Sequence, residues 1–146
     1  MLTIDVLDGL ESLLNKSLLR QYDGPNAEPR FGMLETIHEY AREWLADGGM
    51  AEATKKRHAV YFARMAEQAA AEFLADREVF WAPKLHAEHD NLRAALNWSL
   101  GTDNPELAVQ LISGLADFWY YEGFHVEGYE WVRRTLPKLD EVPPAL

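Results

Sequence analysis

Apolar residues change their spacing within one stretch, Arg30 to Leu45 (RFGMLETIHEYAREWL). Phe31 and Met33 alternate with Arg30 and Gly32 in the manner of a short strand. Ile37, Tyr40, Ala41, Trp44 and Leu45 then fall at i, i+3, i+4, i+7 and i+8, one face of a helix. No loop residue separates the two halves, so a strand runs almost directly into an amphipathic helix. Upstream, Val6, Leu7, Leu10, Leu13 and Leu14 recur at helical spacing, with Thr3 or Asp5 as a cap and an end near Lys16. Ser17 to Tyr22 (SLLRQY) reads as a strand. Asp23, Gly24, Pro25, Asn26 and Pro29 crowd turn residues together, and Arg30 to Leu34 is the return strand.

Downstream the pattern is helical throughout. Gly48 and Gly49 stop the helix begun at Glu35, because glycine takes the left-handed conformation at low cost. The next helix covers Ala51 to Leu74 and buries Ala59, Phe62, Ala63, Ala66, Ala69, Ala70 and Phe73; so many alanines allow a neighbouring helix to approach closely. Asp76 can cap a short piece that Pro83 kinks or restarts. Leu85, Glu88, Leu92, Ala95, Leu96 and Ser99 then continue a helix to Gly101, with Trp81 and Trp98 pinning its ends. Asn104 followed by Pro105 is a helix start, Ala108, Leu111, Ile112, Leu115 and Trp119 form its inward stripe, and Gly123 closes it. A last helix from His125 carries Tyr129, Val132 and Leu136 on one face, and Asp140 to Leu146 reads as a frayed end.

Helix, strand, loop, strand, helix matches the second half of a winged helix, with 23–29 as the wing and the earlier helices of such a domain not in the sequence. Residues 105–136 have about the size of one tetratricopeptide-like repeat of ~34 residues, without a second clear copy. The expected fold is therefore mainly α. Residues 1–47 form a partial winged helix with one β-hairpin, and 48–146 an antiparallel tetratricopeptide-like array ending mid-repeat.

Composition narrows the function. The net charge is −10, with 8 acids against 4 bases up to Ala46 and 16 against 10 beyond it. Nucleic acid requires a basic face, so that partner is disfavoured. There is no cysteine, hence no disulfide and no Cys-ligated zinc. The start, MLTIDVLDGL, has acids where a signal peptide needs bases, and no run approaches the ~20 apolar residues of a membrane span. A cytoplasmic location is the expectation.

Four segments in order, NKSLLR, RFGMLETIHEYAREWL, RHAVYFARMAEQA and AEHDNLRAALNW, carry a family resemblance. From about Val6 to Leu136 the chain resembles the region behind the NB-ARC-like nucleotide-binding module of bacterial STAND ATPases, within multidomain transcriptional regulators of the SARP and LuxR types. The resemblance implies a winged-helix latch on the ADP-bound off state, followed by a helical arm that receives a signal or partner. In related STAND proteins a Met-His-Asp motif ends the last winged-helix strand, and its His contacts the ADP phosphate. Met33, Leu34 and Glu35 stand at that position here. Leu34 cannot donate a hydrogen bond to phosphate, His38 would be an unusual substitute, and no GxxxxGK[ST] occurs. No cofactor is expected for this chain, although the resembled regulators bind ATP or ADP in another domain.

Other candidates are weighed by chemistry. His86 and His89 lie three apart on one helical face near Glu88 but lack HExxH or a third ligand, so no metal site is expected. Asp90, Asn91 and Arg93 read as a buried polar clasp to the preceding helix that fixes register. Lys55, Lys56 and Arg57 form the one basic run, read as a solvated face. Asp5, Asp8 and Glu11 against Lys16 would repel phosphate from the first helix. Tyr120, Tyr121, Phe124 and Trp131, within an aromatic cluster with Phe118, Trp119 and Tyr129, are the candidate partner surface. Ile37, Ala41, Trp44 and Leu45 are expected to couple the two units mechanically.

No nucleophile–base or metal constellation is visible, so no enzyme is expected. The reading is a non-catalytic regulatory fragment that couples a latch to a sensor arm and binds a protein partner or other domains of a parent regulator. The alternative is a stand-alone helical adaptor. Apolar faces near Leu13, Leu14 and Leu18, left uncovered by the absent helices, lead to an expectation of dimerisation or strand exchange.

Overall fold

A computed structural model describes residues 5–73, 78–102 and 105–139. Thr3, Asp76 and Asn104, expected as caps, and the tail 140–146 lie outside the described residues. Among the described residues the fold is mainly α, with seven helices and one antiparallel hairpin. The chain divides into two compact units, Met1–Ala51 and Glu52–Leu146.

In the first unit, α1 (Val6–Asn15) starts where the Asp5 carboxylate accepts from the Leu7 amide at 2.8 Å, satisfying one of the open N–H groups of the first turn. Its end is set by Ser17 at φ 57°, with Ser17 N–H donating to Leu14 and Leu18 N–H to Leu13, the Schellman arrangement. That left-handed residue delays the strand. β1 is Arg20–Asp23, shorter than the expected 17–22 span, and β2 is Pro29–Gly32, ending before Met33. The register pairs Arg20 with Gly32 and Asp23 with Pro29, and a 3-10 turn, Pro25–Ala27, joins the strands. Proline costs no ladder bond at a strand's first residue.

α2 (Glu35–Asp47) follows after two residues and has no side-chain cap, because Leu34 occupies the N-cap. Gly49 at φ 69° ends it, with amide bonds from Gly49 to Ala46 and from Met50 to Leu45. The face read as Ile37, Tyr40, Ala41, Trp44 and Leu45 splits. Ile37, Ala41 and Leu45 are half-buried, whereas Trp44 is 67 % exposed and donates its indole N–H to Tyr40 Oη at 2.8 Å. The i, i+4, i+8 stripe turns inward, and the i+3 and i+7 positions are left outside.

The second unit holds the core. α3 (Ala51–Glu72) buries Ala59, Phe62, Ala63, Met65, Ala66 and Ala69. The expected single helix after Pro83 is instead two. α4 (Glu78–Ala87) contains Pro83, and α5 (His89–Gly101) begins after one non-helical residue, Glu88. Backbone bonds Glu88 to Lys84 and Leu92 to Glu88 carry the ladder across, so the pair acts as one bent rod. Trp81 donates to Glu72 at 3.0 Å and Trp98 to Glu52 at 3.1 Å. The rod is thereby pinned antiparallel to α3 at points about 30 Å apart along that helix.

α6 (Pro105–Tyr121) lies parallel to α3, with Gln110 bonding Glu67 at 3.0 Å and Tyr121 stacking on Phe73 at 6.0 Å. The close approach anticipated from the alanines occurs at Gly114, where a Cβ would sit 2.6 Å from the Ala66 carbonyl carbon. Gly123 at φ 79° turns the chain into α7 (His125–Leu139). α7 runs parallel to α5, as shown by Arg93 to Glu127 and Asn97 to Arg134, with Lys138 reaching the Leu100 carbonyl at the far end. Helices two rods apart are thus parallel, and α6 and α7 each pack on the two rods before them.

Candidate functional site

The α6–α7 corner gathers the chemically distinctive side chains. Gly128 faces Trp119 so closely that a Cβ would lie 2.9 Å from its ring. This lets α7 settle with Gly128, Trp131 and Thr135 inward. One expectation is corrected by that rotation. Trp131, read as partner surface, is only 6 % exposed and belongs to the core. Tyr129, Val132 and Leu136, read as sharing one face of this helix, do so, and that face points outward. The period was right, but the rotation about the helix axis was set by the one position without a side chain.

Tyr120 and Tyr121 are exposed, at 67 % and 54 %, and meet edge to face at 5.1 Å. Phe124 is half-buried, in contact with Phe118 at 5.5 Å. Of the four residues expected as partner surface, the two tyrosines have the required exposure.

Behind Phe118 and Phe124 stand His86 and His89. Each His ring meets both phenylalanine rings at 4.6–5.7 Å between centroids. His86 Nε2 lies 2.6 Å from Glu122 Oε2. His89 Nε2 is buried 3.2 Å from Glu127 Oε1, within ion-pair distance but without the alignment of a hydrogen bond. Burial pushes the His89 pKa down, partly opposed by the Glu127 carboxylate and reinforced by the Arg93 charge.

Glu127 is the centre of this seam. It accepts two bonds from the Arg93 guanidinium, at 2.8 and 2.6 Å, and one from the Trp131 indole at 3.2 Å. The Arg93 bond, opposed by burial, holds its carboxyl below the usual carboxylate range and raises the guanidinium pKa in turn. Such fork geometry is the strongest form of the pair.

The clasp expected from Asp90, Asn91 and Arg93 is different in kind. The Asp90 side chain is 97 % exposed and pairs with Arg93 at 3.3 Å. Asn91 bonds Glu88 within its own turn at 2.6 Å. Arg93 reaches forward to α7 and not back to the preceding helix. The triad is a surface brace, because residues 90, 91 and 93 lie within about one helical turn, where successive side chains diverge by about 100° and cannot all face one neighbour. Glu122 and Glu127, 36 and 34 residues beyond their partners, were missed. Nothing local marks them, since each is one acid among 24.

Met33, Leu34 and Glu35 occupy the step from β2 into α2, and all three are exposed. Lys55 pairs with Glu52 at 2.9 Å, Arg57 bonds Thr54 at 3.5 Å, and the basic run lies on an exposed face. Among the described residues no three His, Asp or Glu side chains converge in a way that could hold a metal ion. No helix among them is long and apolar enough to cross a membrane.

The class so defined is a mainly helical, two-unit segment with a β-hairpin and a braced helical array. No family model and no solved structure matches it. It is similar to provisionally named HTH-type transcriptional regulators of Mycobacterium bovis and of two Mycobacterium tuberculosis strains, at 34 % identity over 131 residues. The match covers 90 % of this chain but only 14 % of each relative, so the chain spans about a seventh of their length.

Proposed function

We propose that this chain is a non-catalytic regulatory segment of a multidomain transcriptional regulator of the STAND ATPase kind. In this reading the hairpin unit is the winged-helix latch and the helical unit is a tetratricopeptide-like arm that receives a partner protein or another domain. The observation that carries it is the similarity to the mycobacterial regulators, which extends over 90 % of the chain and therefore through both units. The exposed tyrosines at the α6–α7 corner fit a protein partner, since aromatic side chains dominate binding energy at such surfaces. The net charge of −10 fits a segment that does not itself hold nucleic acid. With Leu34 in place of a phosphate-binding His, nucleotide is held elsewhere in the regulator, and the cytoplasm is its location.

Two measurements test this reading. Titration calorimetry of the purified chain with ATP, ADP and duplex DNA is expected to show no binding, and saturable binding of any of them would refute it. In the whole regulator, in-frame deletion of 48–146 is expected to leave operator binding in a gel shift intact while removing the response of transcription to its signal. An unchanged response would show that the arm receives nothing.

A further inference from the structure

Two exposed helical stripes of this chain carry opposite charge. On α3, Arg57, Tyr61, Arg64 and Gln68 recur at i, i+4, i+7 and i+11 and are all exposed, with Lys56 beside Arg57. No acid stands on that arc. Glu67 is engaged toward α6, where it accepts from Gln110 at 3.0 Å, and Glu52 is taken by Lys55 at 2.9 Å and the Trp98 indole at 3.1 Å. Among the described residues no carboxylate pairs with Lys56, Arg57 or Arg64, whereas Arg93 and Arg133 of the same unit each hold one. Acids outnumber bases by 24 to 14, so cations left without an acid are the exception to explain.

On α2, Tyr40, Glu43, Trp44 and Asp47 form an exposed stripe of the other sign. Arg42 lies about 100° around the helix from Glu43, off this arc. The indole–phenol bond holds the two rings together, with centroids 6.4 Å apart. Rings fixed in this way lose little side-chain freedom when they are covered. Tyr40 to Asp47 and Arg57 to Arg64 each span seven residue steps, about 10 Å. Laid side by side in either direction, Asp47 reaches one arginine and the Tyr40 ring the other, where a guanidinium is attracted to an aromatic face. Glu43 and Trp44 then lie against Tyr61.

We infer that two copies of this chain associate through these stripes, the α2 face of one seated on the α3 face of the other. Nucleic acid would bring a dense row of phosphates to a chain of net charge −10, whereas two carboxylates with two rings match three cations and a tyrosine. The chain itself carries that matching surface. Two-fold pairing makes the contact twice. Each partner then buries one stripe of each kind, about 400 Å² apiece from aromatic, arginine and carboxylate side chains, close to the ~800 Å² per partner of specific complexes. The residues involved are not the apolar ones near Leu13, Leu14 and Leu18, and the inference does not rest on the regulatory reading.

Sedimentation velocity of the chain at low salt is expected to show a concentration-dependent dimer that about 0.5 M salt weakens. Glu43→Arg with Asp47→Arg makes both stripes basic; Arg57→Glu with Arg64→Glu makes both acidic. All four side chains are exposed, and circular dichroism checks that each variant folds. Each double variant alone is expected to self-associate about a hundredfold more weakly. An equimolar mixture of the two restores the dimer, because every acidic stripe again faces a basic one. The milder Glu43→Gln with Asp47→Asn, which keeps side-chain size, is expected to weaken the dimer about tenfold. A wild-type chain that stays monomeric up to millimolar concentration overturns the inference. So does a dimer that persists in each double variant alone, or the failure of the two folded variants to pair when mixed. Saturable duplex DNA binding by a monomeric chain, lost on Arg57→Glu with Arg64→Glu, would assign the α3 stripe to nucleic acid instead.

Discussion

Gly114 of α6 and Ala66 of α3 meet backbone to backbone, so closely that a methyl group on Gly114 would lie 2.6 Å from the Ala66 carbonyl carbon and 2.7 Å from its Cβ. Both partners are main-chain or the first side-chain atom, so neither can rotate out of the way. Gly114→Ala would gain about 1 kcal/mol of helix propensity. The overpacking it forces costs about 1–3 kcal/mol and often more where backbone must shift. A net loss of stability in urea unfolding is expected. A neutral or stabilised variant would mean that the two helices separate freely.

Arg93 and Glu127 should couple. Arg93 is 44 % exposed on its side chain and Glu127 18 %, so solvent screening reduces the pair to about 1 kcal/mol in a double-mutant cycle. Glu127→Ala should lose more than Arg93→Ala, because Trp131 Nε1 and His89 lose their acidic neighbour with it. Equal single losses and zero coupling would remove Glu127 from the centre of the seam.

Trp131 and Tyr120 should behave oppositely. Trp131→Ala empties a core site and is expected to cost about 3–5 kcal/mol in chemical denaturation. Tyr120→Ala removes a ring that is 67 % exposed and should stay within about 0.5 kcal/mol. Tyr120 at the cost expected for Trp131 would show that it is core.

Acidification should loosen the His89 seam. The folded-state pKa of His89 lies below its ordinary 6.5, so the unfolded chain binds that proton more readily. Above 6.5 the ring is neutral in both states and the penalty vanishes; below it, stability falls until the folded pKa is passed. Glu127, also lowered, adds its loss only further down, below its ordinary 4.5. His89→Gln should flatten the stability–pH slope between about 6.5 and the onset of carboxylate protonation. An unchanged slope in thermal melts would place the titration elsewhere.

Much of the local structure could be read from residue order. The end of α2 follows from Gly48 and Gly49, that of α6 from Gly123, and the inward stripes of α3, α5 and α6 from periods of 3.6. What escaped reading was rotation and partnership. On α2 and α7 two apolar faces compete, and spacing alone cannot choose between Tyr40–Trp44 and Ile37–Leu45, or between Tyr129–Leu136 and Trp131. The delayed β1 strand has a similar origin, since Ser17 is left-handed without being glycine.

By itself, the amino-acid order determined where most of the helices run, where glycine interrupts them, that one hairpin lies between the first two, and that an alanine-rich helix supplies core. These depend on backbone sterics and on periodicity, which are local. Tertiary structure alone decided that Gly128 turns Trp131 inward and that Glu127 gathers Arg93, His89 and Trp131. Those outcomes depend on which helix lies beside which, as where Gly128 meets Trp119 of the preceding helix and Glu127 meets Arg93 34 residues earlier, and no local propensity decides that.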